Sequence, residues 1–325
     1  MGIEPINEYS DREPVSAMDL ATVCIILINW NGLEDTLECL TSLRLLTYPR
    51  VNIVVVDNAS KGNQADIIEE RFPEVMVLRQ SENLGFCGGC NVGIQYAIDQ
   101  GGDFVLVLNN DTVTTPDLLE KLIAVFQKIS NAGAVSPVIS EYPEVTKIGY
   151  FRPKWNPKTA VFVNDNCGYL SEIDPFPVEF ANGCCMLVPV RIFQTVGLFD
   201  ERYFAYYDEI DWCCRIRRHG YESYVAPTAM VHHKMTRSTP APVRDYFMSR
   251  NRLLWMKENL SFWARLYSFK FLLKDYIWHI LNSRGLTTPR ISRQCSRAVV
   301  SGGSDYFRGR FYKWDEKKQK AIVEM

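Results

Sequence analysis

Short apolar runs alternate with segments of helical periodicity along the first third of the chain. The apolar runs are continuous rather than alternating with polar residues, which predicts strands buried on both faces of a sheet. Strands are predicted at 21–29, 51–56, 75–78 and 104–108, and helices at 33–46, 64–72 and 83–99. Strands that alternate with helices at this interval predict right-handed βαβ units and a largely parallel central sheet flanked by helices.

The pattern changes in the second half of the chain. Residues 136–182 lose periodicity and are rich in proline and aromatic residues, so we expect a long loop or irregular β segment across the active face. An apolar run at 183–190 predicts another strand followed by a short helix. Helical periodicity returns beyond residue 245 and continues through 260–282. We therefore divide the chain into a polar extension (1–20), an α/β domain (21–240) and a helical C-terminal region (241–325).

Polar residues follow three of the predicted strands. Asn29-Trp30, Asp57-Asn58 and the segment Asn109–Asn110–Asp111 each stand directly at a strand's carboxyl end. Ligands of parallel α/β sheets bind beyond the carboxyl ends of the strands. We expect these three segments to face one crevice.

Charge is distributed unevenly although the net charge is only −2. Residues 236–325 hold 18 Lys and Arg against 7 Asp and Glu, so this aromatic-rich tail is expected to meet phosphates or a membrane surface. No recognised nucleic-acid motif accompanies the charge, which argues against nucleic acid as a partner. From their polar, acidic composition, we expect the first 20 residues to be neither a signal peptide nor a membrane span. Adjacent cysteine pairs favour reduced thiols and a cytoplasmic setting.

Three clusters could carry chemistry. Asp111 with Asn109 is a compact pair of oxygen ligands for a hard divalent cation, although Asn-Asp after a strand is also a common turn. The glycine-rich segment 83–93 enters a helix, and exposed amides there would suit a phosphate or ribose. Its spacing matches neither the dinucleotide fingerprint nor the P-loop.

The third cluster places three carboxylates within four positions, at Asp208, Glu209 and Asp211. Crowded carboxylates raise one another's pKa toward the range of a general base. Asp211 and Arg215 have the spacing of a structural helix ion pair, which leaves Glu209 and Asp208 as the catalytic candidates. Farther on, adjacent histidines end an apolar run, so their side chains should point to opposite faces of a strand.

Together these motifs resemble family 2 glycosyltransferases of the GT-A fold, specifically the rhamnosyltransferase-type branch. The resemblance covers residues 21 to about 255 in the family's order. It rests on Ile-Leu-Ile-Asn-Trp-Asn-Gly32, Val-Val-Val-Asp-Asn-Ala-Ser60, Asn-Leu-Gly-Phe-Cys-Gly-Gly-Cys-Asn91, Leu-Asn-Asn-Asp111, the run from Val196 to Asp211, His233-Lys234 and Arg250-Asn251.

The resemblance implies a role for each motif. Asp57 would read the nucleotide base, Asp111 and His233 would hold Mg²⁺ or Mn²⁺, and Arg250 could add charge at the phosphates. Glu209 stands where the family usually has its catalytic Asp, and Asp208 remains an alternative base. The other positions implied for nucleotide-sugar binding are Asn29, Trp30, Asn58, Asn83, Gly85, Phe86, Gly89, Asn91, Asn109 and Asn110.

The resemblance further implies an inverting transfer of a sugar from a UDP- or dTDP-sugar to a hydroxyl of a glycan or polyprenyl-linked acceptor. The aromatic and cationic segment 260–282 suits a helix on anionic lipid at the inner face of the membrane, and packing on a second subunit in a homodimer is the alternative. Two other functions stay open at this point. They are a non-catalytic sugar-nucleotide-binding protein and a sugar nucleotidyltransferase.

Overall fold

A computed structural model describes residues 21–144, 146–159, 161–165, 173–234, 239–286, 292–311 and 320. The predicted polar extension 1–20 lies outside the described residues. The described part is built on a mixed ten-stranded sheet with helices on its faces. The predicted α/β fold class is confirmed.

One half of the sheet is parallel, as the sequence predicts. Its strands are β1 (Val23–Asn29), β2 (Val51–Asp57), β3 (Met76–Arg79) and β4 (Phe104–Leu108), in the order β4-β1-β2-β3. The connecting helices are α1 (Leu33–Leu43), α2 (Gln64–Arg71) and α3 (Gly85–Asp99). β1 and β4 are almost completely buried, which explains their continuous apolar sequence.

The other half is not mostly parallel. It contains β5 (Thr112–Thr114), α4 (Leu118–Lys128), β6 (Ala132–Glu141), β10 (Phe176–Val178), β11 (Cys185–Pro189) and β12 (Glu222–His233). β11 runs antiparallel between β4 and β6, whereas β12 is parallel to β6. Because antiparallel neighbours need no crossover helix, the βαβ reasoning does not extend to this half.

The expectation of a loop or irregular β segment over 136–182 is only partly right. Residues 132–141 form the long interior strand β6, which Pro137 and the serines at 136 and 140 do not interrupt. Beyond it, β7 (Ile148–Tyr150) pairs with β6, and β8 (Arg152–Asn156) forms a separate hairpin with β9 (Val161–Asp165). Trp155 of the hairpin packs on Trp255 with ring centroids 4.6 Å apart.

Five further helices complete the described part. They are α5 (Val190–Val196), α6 (Asp208–Arg218), α7 (Ala241–Asn259), α8 (Phe262–Ser283) and α9 (Arg293–Phe307). Tyr246, Phe247, Leu253 and Leu254 are buried on one side of α7, as their spacing predicts. α7 shares the main hydrophobic core with the sheet. Among the described residues, no helix is long and apolar enough to cross a membrane.

Candidate active site

The carboxyl ends of β1, β2 and β4 lie at one edge of the sheet. Asn29 is in register with Asp57 on β2, and Leu27 is in register with Leu108, which directly precedes Asn109. Asp57 and Asn109 therefore belong to the same rim, as the strand ends predict.

Asn29 is completely buried and connects this rim internally. Its amide nitrogen donates to Oδ1 of Asp57 at 3.0 Å and to Oγ of Ser60 at 3.0 Å, and its amide oxygen accepts from Thr36 at 2.9 Å. Asn110 in turn donates to Oγ1 of Thr36 at 2.8 Å. The side chains of Asn29 and Asn110 thus hold Asp57 and the segment before Asp111 in fixed positions. These bonds give both side chains a framework role at the rim.

The glycine-rich segment is also held from within. Asn58 donates to Asn83 Oδ1 at 3.0 Å and accepts from the backbone N–H of Leu84 at 2.9 Å, while the backbone N–H of Gly85 donates to Asn83 at 2.8 Å. The N–H of Cys87 donates to the carbonyl of Phe204 at 3.1 Å. Protein acceptors thus take the N–H groups of Leu84, Gly85 and Cys87, so the expectation of exposed amides does not hold for these three positions.

Glycines in this segment permit close packing. Gly85 has φ +75°, and a Cβ there would lie 2.5 Å from the carbonyl oxygen of Phe204. A Cβ at Gly89 would press on Ile28 and Asn58. Asn91 is buried and bridges the N–H and C=O of Phe199 at 3.0 Å each. The segment thus supports the loop before α6, while Trp30 and Phe86 remain half-buried at the rim.

Asp111 and His233 lie side by side because β5, which follows Asp111, pairs with β12. Nε2 of His233 lies 2.9 Å from Oδ1 of Asp111, and both side chains are mostly buried. His232 points the other way, with Nδ1 2.6 Å from Oγ of Ser140, which confirms the predicted alternation of the two histidines. The two predicted metal ligands are 122 residues apart in the sequence, and the fold brings them into contact.

This pair fits a divalent cation of the Mg²⁺ or Mn²⁺ type. Ligands at about 2.1 Å and at right angles around an octahedral ion lie about 3.0 Å apart, close to the observed separation. No cluster of three or more His, Cys, Asp or Glu suited to a metal occurs in the described part of the chain. The other coordination positions would therefore fall to water and to oxygens of a substrate.

The proton on His233 competes with a metal. Burial lowers the pKa of His233, but Cys184 and the hydrogen bond with Asp111 outweigh burial and raise it. A cation can bind Nε2 only after the proton leaves, so cation binding should strengthen with pH.

Asp208 and Glu209 begin α6, after a loop with unusual backbone geometry. Phe204, Tyr206 and Tyr207 have φ values of 64°, 68° and 70°, a region in which side chains other than glycine are strained. Such strain persists only where surrounding contacts fix it. Asp208 is almost fully buried, whereas Glu209 remains half-buried.

The two carboxyls influence each other. Burial raises the pKa of Asp208, although backbone hydrogen bonds at the start of α6 oppose this. Burial and the charge of Asp208 together raise the pKa of Glu209 from 4.5 to about 8. Glu209 is thus the more accessible carboxyl, with a pKa suited to accepting a proton near neutral pH.

Arg250 and Asn251 of α7 hold the strained loop. Asn251 donates to the carbonyls of Tyr203, Ala205 and Tyr206 at 2.9, 2.7 and 2.8 Å. Arg250 is buried and donates to the carbonyls of Arg202 and Tyr203. Its guanidinium also lies 4.9 Å from the centre of the Phe247 ring. These contacts give Arg250 a role in loop structure, and its expected role at the phosphates stays a prediction.

Two consecutive residues, Gly183 and Cys184, lie between the carboxylates of α6 and the Asp111–His233 pair. Gly183 packs against Glu209, such that a Cβ on Gly183 would lie 3.2 Å from Cβ of Glu209. The next residue, Cys184, interacts with His233, and its carbonyl accepts from the N–H of Asn109 at 2.8 Å. The predicted base and the predicted metal ligands therefore flank the same short segment before β11.

Comparison with known proteins identifies the family of the chain. The sequence profile described as Glycosyl transferase family 2 matches residues 24–197. The chain belongs to this glycosyltransferase family.

Its relatives agree with this assignment. The N-acetylglucosaminyl-diphospho-decaprenol L-rhamnosyltransferase of Mycobacterium tuberculosis is 28% identical over 253 residues, which cover 70% of this chain and 81% of that protein. The dTDP-rhamnosyl transferase RfbF of Shigella flexneri is 24% identical over 217 residues, which cover 64% of this chain and 71% of that protein. The chain is therefore a rhamnosyltransferase-like glycosyltransferase, and the enzyme prediction is confirmed.

A solved structure supports the fold. The mannosyltransferase PcManGT from Pyrobaculum calidifontis, in complex with GDP-Man and Mn²⁺, superposes with a TM-score of 0.58 at 14% identity. The superposition covers 89% of this chain and 88% of that protein. This family 2 glycosyltransferase therefore has the predicted GT-A fold.

Some residues of the site escaped the sequence analysis. Thr36 completes the link from Asp57 to Asn110, but a threonine inside a helix gives no distinctive signal. Lys234, next to His233, forms ion pairs with Asp35 at 2.7 Å and Glu38 at 2.6 Å on α1. The His-Lys pair was visible in the sequence, whereas its acidic partners could be identified only from the fold.

The structure also bears on the predicted ion pair of α6 and on the prediction that the cysteines are reduced. Asp211 and Arg215 form the predicted ion pair at 3.1 Å. All cysteines among the described residues are free, and Cys87 and Cys90 are fully buried.

Proposed function

We propose that this glycosyltransferase transfers rhamnose or another hexose from a dTDP- or UDP-sugar to a hydroxyl of a glycan or polyprenyl-diphosphate-linked acceptor, with inversion at the anomeric carbon. The observation that carries the proposal is the placement of Glu209 and the Asp111–His233 pair on either side of Gly183 and Cys184. This spacing puts a proton acceptor close to a site for the leaving diphosphate.

The chain's own residues can perform the transfer. Glu209 takes the proton from the acceptor hydroxyl as its oxygen attacks the anomeric carbon, and the bond from that carbon to the diphosphate oxygen breaks with its electron pair. A divalent cation at Asp111 and His233 would supply positive charge for the departing diphosphate. We assign recognition of the nucleotide base to Asp57, which lies at the carboxyl end of β2 on the same rim.

The donor and acceptor classes come from the relatives. The name of one relative specifies a dTDP-rhamnosyl donor, and the name of another specifies a decaprenol-linked acceptor. The solved relative carries GDP-Man with Mn²⁺. We extend the nucleotide-diphosphate donor and the divalent cation to this chain, and the raised pKa of Glu209 supports the role of base.

Two measurements test the proposal. Thermal shifts with a panel of UDP- and dTDP-sugars, with and without Mn²⁺, should show cation-enhanced stabilisation by the true donor because ligands raise the melting temperature by mass action. Transfer to a polyprenyl-diphosphate-linked sugar, followed by NMR of the new linkage, should show the anomeric configuration opposite to that of the donor. Retained configuration would overturn the inverting mechanism. Donor stabilisation without any transfer or hydrolysis would indicate a non-catalytic protein.

A further inference from the structure

Helix α8 exposes apolar side chains to solvent and buries polar ones. This is the opposite of a helix that packs on the core of a soluble protein. Its outer face, here defined as residues 262, 263, 266, 267, 269, 270, 273, 274, 277 and 281, is exposed to solvent. The eight apolar or aromatic residues of this face have exposed fractions between 37% and 75%, and they are Phe262, Trp263, Leu266, Tyr267, Phe269, Leu273, Ile277 and Leu281. Spacings of three and four residues place them along one side of the helix.

The inner face of α8 is buried and largely polar. Asn282 donates to Oγ of Ser296 on α9 at 2.7 Å, and Nδ1 of His279 lies 3.0 Å from the same oxygen. Tyr276 donates to the carbonyl of Val299 at 3.1 Å, and its ring occupies space that a Cβ on Gly303 would fill. These specific contacts fix the rotation of α8, so it cannot turn its apolar side inward without losing them.

An exposed apolar face of this length requires an apolar environment. A helix of 22 residues is about 33 Å long, and a contiguous apolar patch on that scale marks an interaction surface. The charges on the outer face show which surface fits.

Lys270 and Lys274 lie within the outer face, and neither forms an ion pair with any described residue. Lysine is depleted from the centre of protein interfaces because burying its charge is costly. If two copies of α8 met about a two-fold axis near the helix midpoint, these lysines would face their own counterparts. Asp275 could not neutralise them, since it is directed toward Arg252 and His279.

A lipid surface accommodates the same residues without this cost. Lysine side chains extend past apolar neighbours to reach headgroup phosphates, and aromatic rings such as Trp263 and Tyr267 favour the interfacial region. We propose that the outer face of α8 lies on an anionic lipid surface, with its apolar side chains among the acyl-chain boundary and Lys270 and Lys274 at the lipid phosphates. This arrangement would hold the enzyme where a lipid-linked acceptor is located.

Vesicle flotation of the full chain tests the proposal. The protein should float with vesicles of phosphatidylcholine and phosphatidylglycerol, and much less with phosphatidylcholine alone. Leu273→Glu/Ile277→Glu should reduce flotation to background. The matched control is Leu45→Glu/Met76→Glu, which changes two exposed apolar residues outside α8 and should float like the original protein.

A charge-reversal pair tests the electrostatic part. Lys270→Glu/Lys274→Glu should weaken partitioning by about 30-fold or more, because each lysine near an anionic surface contributes about a factor of five. Lys154→Glu/Lys158→Glu, on exposed positions of the β8–β9 hairpin, should leave partitioning nearly unchanged. Thermal unfolding of each variant verifies that exposed substitutions have not altered the fold.

Three outcomes would overturn the proposal. They are absence of flotation on anionic vesicles, flotation unchanged by both α8 variants, and a dimer in light scattering that Leu273→Glu/Ile277→Glu converts to a monomer without any vesicle binding. The last result would assign the outer face to a second copy of the chain. Because the readout is partitioning, failure here leaves the proposed sugar transfer untouched, and failure of sugar transfer leaves this surface untouched.

Discussion

The two halves of the sheet contribute to the site in different ways. In the parallel half, the polar side chains at the rim are satisfied by one another, as the bonds from Asn29 to Asp57 and from Asn58 to Asn83 show. In the mixed half, Glu209 and Asp208 are crowded carboxyls with raised pKa values after a strained loop. A rim whose side chains are held by hydrogen bonds is suited to binding a ligand in one orientation. Carboxyls whose pKa values are raised are suited to proton transfer.

The comparison also explains why the strained loop needs support from outside the sheet. Positive φ at Tyr206 and Tyr207 costs free energy, and α7 offsets that cost through the three hydrogen bonds of Asn251. The parallel half also has positive φ at Asn31 and Ala59, but its loops after β1 and β2 bond to each other rather than to α7. Substitutions in the two halves should therefore impair different steps.

The largest effect is expected at Glu209. Glu209→Gln should lower the transfer rate by about 10²–10⁴-fold because it removes the proton acceptor, while donor binding measured by calorimetry stays unchanged. In the original enzyme the rate should rise with pH up to an apparent pKa of about 8. Asp208→Asn serves as the comparison, and a larger loss of turnover there than at Glu209 would move the base to Asp208.

The adjacent histidines provide the next test. His233→Ala should lower transfer by about 10²–10³-fold and remove the enhancement of donor binding by Mn²⁺, because half of the cation pair is lost. His232→Ala is a matched control, since that side chain contacts Ser140 on the other face of the strand. Equal losses of Mn²⁺ dependence in both variants would contradict the proposed cation site.

A pair of asparagine substitutions tests the comparison directly. Asn251→Ala should destabilise the fold by about 3 kcal/mol, since three carbonyls lose a donor. It should lower kcat by about 10²-fold through displacement of Glu209, with donor affinity nearly unchanged. Asn29→Ala should instead weaken donor binding through Asp57 and spare kcat. Calorimetry measures donor affinity and steady-state kinetics measures kcat. Equal changes in both quantities for the two variants would show that the two halves of the sheet do not serve different steps.

A last effect concerns stability and pH. The folded-state pKa of Glu209 is raised, so its contribution to the free energy of unfolding is present below about pH 4.5 and is lost as pH rises through about 8. Glutamine does not titrate. The melting temperature of Glu209→Gln relative to the original protein should therefore increase between about pH 5 and about pH 9. Calorimetric scans across this range check the sign, and a constant difference would show that Glu209 ionises freely in the folded protein.

Much of the parallel half was predictable from the chain alone. Continuous apolar runs specify buried strands, and the carboxyl-end rule places Asp57 and Asn109 on one rim without knowledge of any distance. The strand β6 was missed because Pro137 and two serines mask the apolar pattern, and burial on both sides by β11 and β12 stabilises it instead. Local periodicity cannot report pairing between distant strands.

The sequence by itself determined the fold class, the order of motifs and the residue types that could bind a cation or accept a proton. Only the tertiary structure decided that His233 meets Asp111, that Asn29, Asn91 and Arg250 form hydrogen bonds with protein groups, and that α8 keeps its apolar side outward. The physical reason is the separation in sequence between the residues that interact. Secondary structure follows from neighbours a few residues apart, whereas ionisation, burial and ligand geometry depend on side chains that only folding brings together.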